Sequence, residues 1–237
     1  MERVYHTWWS PSLGREMEML IFGNGGVPVL AFPTSMGRFF EWEDFGMIDS
    51  LSYQLENGHN TVYCIDSVDN ESFHNKVVDP YVRIMRHRQY DDFIRHEVIP
   101  YIEENSSNPY IISAGCNFGS YHALNVALKY PHKIGKVITM GGQYDIRSFL
   151  DEFFDDNVYY NNPGEYLPNL NDERLLKEIR NLDIRLVCGE HDNCLPENEN
   201  MSKIMDNKDI PHILDIWKNT NGHDWETWKK MIASHIV

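Results

Sequence analysis

Short, nearly unbroken apolar runs alternate along this chain with longer segments whose apolar residues recur at helical spacing. The runs are Val27 to Phe32, Thr61 to Asp66, Tyr110 to Ala114, Lys136 to Met140, Ile184 to Cys188 and His212 to Trp217. Runs apolar at successive positions fit strands of a parallel sheet covered on both faces. Between them, Asp49 to Leu55 predicts a helix stopped at Asn57-Gly58. Tyr90 to Glu104 predicts another, with Phe93, Ile94, Val98 and Ile102 on one face and Pro100 as a kink or disruption. Ser120 to Tyr130 stops at Pro131, Asp172 to Asn181 precedes the fifth run, and Asp224 to Ile236 closes the chain. Strand and helix in alternation predict a doubly wound α/β sheet.

Two further patterns complete the outline. Arg3 to Trp9 and Glu16 to Phe22, joined by Ser10-Pro11-Ser12-Leu13-Gly14, predict an antiparallel edge hairpin that offers a route to a homodimer. Trp8 and Trp9 point to opposite faces of that strand, so one is expected inside and the other partly exposed. The stretches 69–87 and 147–171 are irregular and rich in aromatics, Asn and Asp. They read either as small lid segments over the sheet or as ordinary long surface loops. No repeat or linker divides the chain, so residues 1–237 are expected to form one domain.

Composition narrows the partners. A formal charge of −15 argues against nucleic acid or an anionic membrane surface, since both need clustered Lys and Arg. The opening Met1-Glu2-Arg3-Val4-Tyr5-His6 is not a basic segment followed by an apolar run, so no signal peptide is expected, and no apolar stretch is long enough to span a bilayer. Cys64, Cys116, Cys188 and Cys194 match no zinc spacing, and no metal site is expected. Free thiols and no leader predict a cytoplasmic protein. Gly23 to Gly26 do not open a helix after a strand, so they form no dinucleotide fingerprint and no cofactor is expected.

The chemistry gathers after three of the predicted strands. Ile111-Ile112-Ser113-Ala114-Gly115-Cys116-Asn117-Phe118-Gly119-Ser120-Tyr121-His122 reads as a strand, a glycine-framed turn and a helix. Gly189-Glu190-His191-Asp192 follows the fifth strand, and Gly222-His223-Asp224-Trp225-Glu226-Thr227-Trp228 follows the sixth. Ligands of open parallel sheets bind at the carboxyl ends of strands. With Phe32-Pro33-Thr34-Ser35-Met36-Gly37-Arg38-Phe39-Phe40-Glu41-Trp42, these motifs run over nearly the whole chain. In kind, order and spacing the chain resembles the esterase family of α/β-hydrolases, the group with esterase D-like and feruloyl esterase-like enzymes. The resemblance implies the α/β-hydrolase fold, a mostly parallel twisted sheet of about eight strands with helices on both faces. It implies small-molecule ester or acyl ligands and an order of nucleophile, acid and histidine.

Carried onto this chain, the resemblance puts Asn117 in the nucleophile position, His223 as general base and Asp192 as the acid that orients it. The backbone N–H of Phe118 would be one oxyanion donor, and that of Thr34 or Ser35 the other. Arg38 and Trp42 would line the pocket. His122 and His191 read as structural or rim residues, Trp225 and Trp228 as core, and Asp224 as an alternative acid ill placed beside His223. Asp192 and His223 also have plain readings, as a loop residue or helix cap and as a residue packing before a helix.

The family pattern has serine at 117 and usually glycine at 120, where this chain has Asn117 and Ser120. An amide has no proton whose removal yields a nucleophile. Three routes around this are deamidation to Asp, slow beside bulky Phe118; replacement by Cys116, Ser120 or Ser113, none aimed like the central residue; and a water activated by His223. The expectation is therefore an esterase-type site that is inactive or very weak as written. The alternative is a non-catalytic binding protein in which the Asn117 amide holds the ligand.

Overall fold

The computed structural model describes residues 1–220 and 222–236; Asn221 and Val237 lie outside them. In chain order come β1 (Arg3–Ser10), β2 (Arg15–Phe22), β3 (Val27–Phe32), α1 (Glu41–Asp44), α2 (Met47–Ser50), α3 (Ser52–Glu56) and β4 (Asn60–Ile65). Then follow α4 (Pro80–Phe93), a π-helical turn over Ile94–Val98, α5 (Ile99–Asn105), β5 (Ile111–Cys116), α6 (Phe118–Lys129) and β6 (Ile134–Met140). A 3₁₀ turn at Arg147–Leu150 leads to α7 (Asp156–Tyr159), α8 (Pro163–Asn169), α9 (Glu173–Ile179), β7 (Asp183–Gly189), α10 (Leu195–Asp206), β8 (Ile213–Trp217) and α11 (Trp225–His235).

The strands make one eight-stranded sheet in the order β1-β2-β4-β3-β5-β6-β7-β8. β1 pairs antiparallel with β2, as the hairpin pattern predicts, and β2 antiparallel with β4. Every other pairing is parallel. This is the α/β-hydrolase architecture. The strand order reverses at β3, which lies between β4 and β5, so the turns after β3 and β5 leave the sheet side by side.

Alternation divides the side chains between two cores. Leu30 and Phe32 of β3, Tyr63 and Ile65 of β4 and Ile184 and Leu186 of β7 face one core with α4, α5, α6, α9 and α10. Val29 and Ala31, Val62 and Cys64, and Val187 face the other, with α1 to α3 and α11. Both faces are apolar, which is why the strands lack an alternating polar signature. Trp8 packs on Phe93, 5.6 Å between rings, and Trp9 is exposed, as the hairpin phase requires.

Three helical readings change. The helix expected over Asp49 to Leu55 is two short ones, α2 and α3, parted at Leu51. The helix expected from Tyr90 begins at Pro80, capped by the Asp79 side chain on the Tyr81 N–H. Pro100 lies within a helical run unbroken from Pro80 to Asn105, and the disruption expected there is the π-turn over Ile94–Val98 just before it, which takes up an extra residue. Leu195–Asp206, not predicted as a helix, is one whose polar face masks Met201 and Met205 in the core. The stretches 69–87 and 147–171 pack on each other. Phe73, Ile84, Phe118, Tyr121, Ile146, Leu150 and Val158 form one buried cluster that anchors both beside the elbow.

Candidate active site

The elbow is built by two glycines and one strained residue. Asn117 has φ 53° and ψ −124°, an uncommon backbone for a residue with a Cβ. Its N–H is held by the Met140 carbonyl at 3.0 Å. A Cβ at Gly115 would run into the Gly119 carbonyl, and one at Gly119 into the Pro33 and Phe32 carbonyls. Only glycine at both positions lets β5, α6 and the turn after β3 meet this closely. Ser120, where the family pattern has glycine, binds the Gly115 carbonyl at 2.9 Å and accepts from the Met140 N–H at 3.0 Å. It is a buried staple between β5 and β6. Cys116 is fully buried, and burial pushes its thiol well above the usual range. Neither side chain faces the position that Asn117 presents.

Three residues remote in sequence meet in a line. The Asn117 Nδ2 lies 2.8 Å from His223 Nε2, and His223 Nδ1 lies 3.0 Å from Asp192 Oδ1. Asp192 is buried, sits just beyond β7 and also accepts from the Cys194 N–H at 2.7 Å. His223 sits before α11, whose first turn is capped by Asp224 on the Thr227 N–H at 2.8 Å. Asp224 is thereby occupied as a cap. Trp228 of α11 is buried, its ring edge-on to His223 at 5.1 Å.

The other end of the Asn117 amide is equally committed. Oδ1 accepts from the Phe118 N–H at 2.6 Å, the Ser35 hydroxyl at 2.8 Å and the Ser35 N–H at 3.3 Å. Ser35 thus points at the site and Thr34 does not. The Thr34 N–H and hydroxyl both turn to the Glu41 carboxylate at 2.7 Å, an anchor that no motif in the chain announces. Trp42 takes another place than the expected pocket wall. Trp42 is 1% exposed in the core and donates to the Phe32 carbonyl, because α1 turns that face inward. The Arg38 guanidinium bridges Asp66 at 2.7 Å and Glu18 at 2.6 Å, tying the loop after β3 to its neighbours.

The charge state of His223 is set by opposed demands. The hydrogen bond to Asp192, helped by the Cys194 sulfur and opposed by burial, raises the imidazole to about 10. The Asn117 amide works against this. A proton on Nε2 would face the Nδ2 hydrogens, and reversing the amide would set its NH2 against the Ser35 and Phe118 donors. With the amide in this orientation, the bonds suit a neutral imidazole with its hydrogen on Nδ1. Cys194, which its spacing from the other cysteines did not mark as a ligand, completes a trio with Asp192 and His223 whose ligand atoms lie within 4.8 Å of one another. A metal ion there would have to displace the His223–Asp192 hydrogen bond.

Residues 10–236 match the model of the Esterase family, described as "Putative esterase", and the chain belongs to that family. It is 23% identical over 220 residues to an acetyl esterase of Caldicellulosiruptor saccharolyticus, covering 84% of this chain and 77% of that protein. Its fold matches a ferulic acid esterase with a TM-score of 0.79 at 17% identity, over 99% of this chain and 96% of the other. It matches an S-formylglutathione hydrolase from Agrobacterium tumefaciens with a TM-score of 0.77 at 12% identity, over 99% and 92% of the two chains. At these structural identities the likeness is one of fold. Among the described residues no helix is long and apolar enough to cross a membrane.

Proposed function

We propose that this chain is a carboxylic-ester-hydrolase type of protein whose site takes a small ester or acyl ligand and turns it over very weakly or not at all as written. In this reading His223 is the general base and Asp192 holds its tautomer. The Phe118 and Ser35 N–H groups are the oxyanion donors, and Asn117 stands where the nucleophile belongs. The observation that carries it is the continuous relay Asp192–His223–Asn117 ending on two backbone donors. Such a relay serves acyl transfer in every part except its attacking atom.

The same observation argues against using Asn117 to hold a ligand, because both ends of its amide are already bonded within the protein. The test is hydrolysis of p-nitrophenyl acetate by the chain and by Asn117→Ser. A rise of about 10⁴-fold or more with serine is expected, since loss of a triad nucleophile costs on the order of 10⁶ in turnover. A folded Asn117→Ser that stays silent overturns the hydrolase reading and leaves the non-catalytic binding protein.

A further inference from the structure

A carboxamide is itself an acyl compound, and that of Asn117 sits in the site as a substrate would. Its oxygen receives the Phe118 N–H, the Ser35 hydroxyl and the Ser35 N–H, at 2.6, 2.8 and 3.3 Å. Its nitrogen, the group that would leave, is 2.8 Å from the imidazole that can deliver a proton to it. The residue is half-buried, so water reaches it. We propose that Asn117 is a self-modification site, at which the chain hydrolyses its own side-chain amide to leave aspartate at the elbow.

The step uses one water and no other reactant. Neutral His223 takes a proton from the water on Nε2 as the water oxygen bonds to Cγ of Asn117. The negative charge that develops on Oδ1 falls where the three donors already point. The imidazolium then returns the proton to Nδ2, the C–N bond breaks, and ammonia leaves with the bonding pair. The carboxylic acid formed gives up its proton to the ammonia, so the products are carboxylate and ammonium.

Two features separate this from ordinary loss of an asparagine amide. The ordinary route needs the following backbone nitrogen to attack Cγ and close a ring. Here that nitrogen belongs to Phe118, the first residue of α6, and its N–H is directed at Oδ1. The constrained backbone of Asn117 holds it there. The product also suits the site better than the amide does. A carboxylate keeps the three donors, sits at the N-terminus of a twelve-residue helix and can face a charged imidazole. His223, which Asp192 pulls toward its protonated form, no longer has to stay neutral. The residue left behind is a carboxylate, which can act as a nucleophile where an amide cannot.

The inference rests on the same His223–Asp192 pair as the functional reading, but its readout is mass and not ester turnover, so each can fail alone. The purified chain is held in water enriched in heavy oxygen and mapped by peptide mass spectrometry. Residue 117 is expected to convert to normally linked aspartate carrying one heavy oxygen. His223→Gln should slow this by at least about 10²-fold, the low end of what a positioned base supplies. Urea-unfolded chain should lose the reaction at 117 as well, which covers a variant that folds poorly. Asn24, in an exposed Asn-Gly turn, serves as internal clock. An intact Asn117 while Asn24 converts overturns the proposal. So does isoaspartate at 117, or a rate there that His223→Gln and unfolding leave unchanged.

Discussion

Two buried aspartates each hold a histidine at the same distance, and only one of these pairs is built to act. Asp192 binds His223 at 3.0 Å, and Asp69 binds His122 at 3.0 Å. Both acids are buried. The difference lies in what the second imidazole nitrogen and the ring faces meet. His223 keeps a side chain 30% exposed and turns Nε2 to Asn117. His122, on the inward face of α6, is 1% exposed and walled by Phe32, Phe118, Tyr121, Tyr90 and His87. A dyad is therefore not a catalytic signal by its own distances. Its place at the carboxyl ends of β7 and β8, open to solvent and aimed at the elbow, makes it one.

The comparison can be broken most sharply by kinetics. In the Asn117→Ser background, His223→Ala should lower kcat/KM for a p-nitrophenyl ester by about 10⁴- to 10⁶-fold, or about 5–8 kcal/mol. Its stability cost should be smaller than that of His122→Ala, because Asp192 keeps the Cys194 N–H when the imidazole is gone. In the same background kcat/KM should climb with pH and level off near 10, because serine lacks the amide that opposes protonation and only neutral His223 is a base. A profile flat from neutrality upward would show that Asp192 does not control this imidazole.

His122→Ala should do the reverse. Leaving Asp69 buried without its partner is expected to cost about 3–5 kcal/mol by urea unfolding, with turnover per folded molecule retained. Loss of turnover at unchanged stability would reverse the assignment of the two pairs.

The buried pair has a neighbour that titrates in the opposite direction to His223. Burial, with nearby His122, holds His87 well below the ordinary histidine value. The unfolded chain takes up that proton near pH 6.5 and the folded chain does not. Stability should be full above that value and fall by about 1.4 kcal/mol per pH unit below it. Thermal unfolding of His87→Gln from pH 7 downward should show a slope shallower by one proton. The smallest expected effect is at Asp224. Asp224→Ala removes the α11 cap for about 1 kcal/mol. Kinetics that instead collapse in the serine background would make Asp224, and not Asp192, the acid.

Much of this was legible before folding. The six parallel strands announced themselves as apolar runs because a sheet covered on both faces tolerates no polar alternation. The glycines at 115 and 119 marked the elbow, since backbone carbonyls stand where their Cβ atoms would be. What the sequence hid was of another kind. Leu195–Asp206 is polar on most of its surface, so α10 looked like loop. Thr34 and Ser35 are adjacent and chemically alike, and only the position of Glu41 turns one away and leaves the other facing Asn117. Trp42 looked like a pocket aromatic until α1 turned it into the core.

The sequence by itself determined the family, the sheet, the order of elbow, acid and histidine, and the absence of serine at 117, because each is written in residue type, period or spacing. Tertiary structure alone decided that Asn117 bonds His223 with one end of its amide and the backbone donors of Phe118 and Ser35 with the other. It also decided that the His223 ring reaches solvent while Asp69–His122 is sealed. Residues 35, 117, 192 and 223 are brought together only by strand order and the crossovers between strands. Distances across a sheet are fixed by packing, and no local pattern in the chain encodes them.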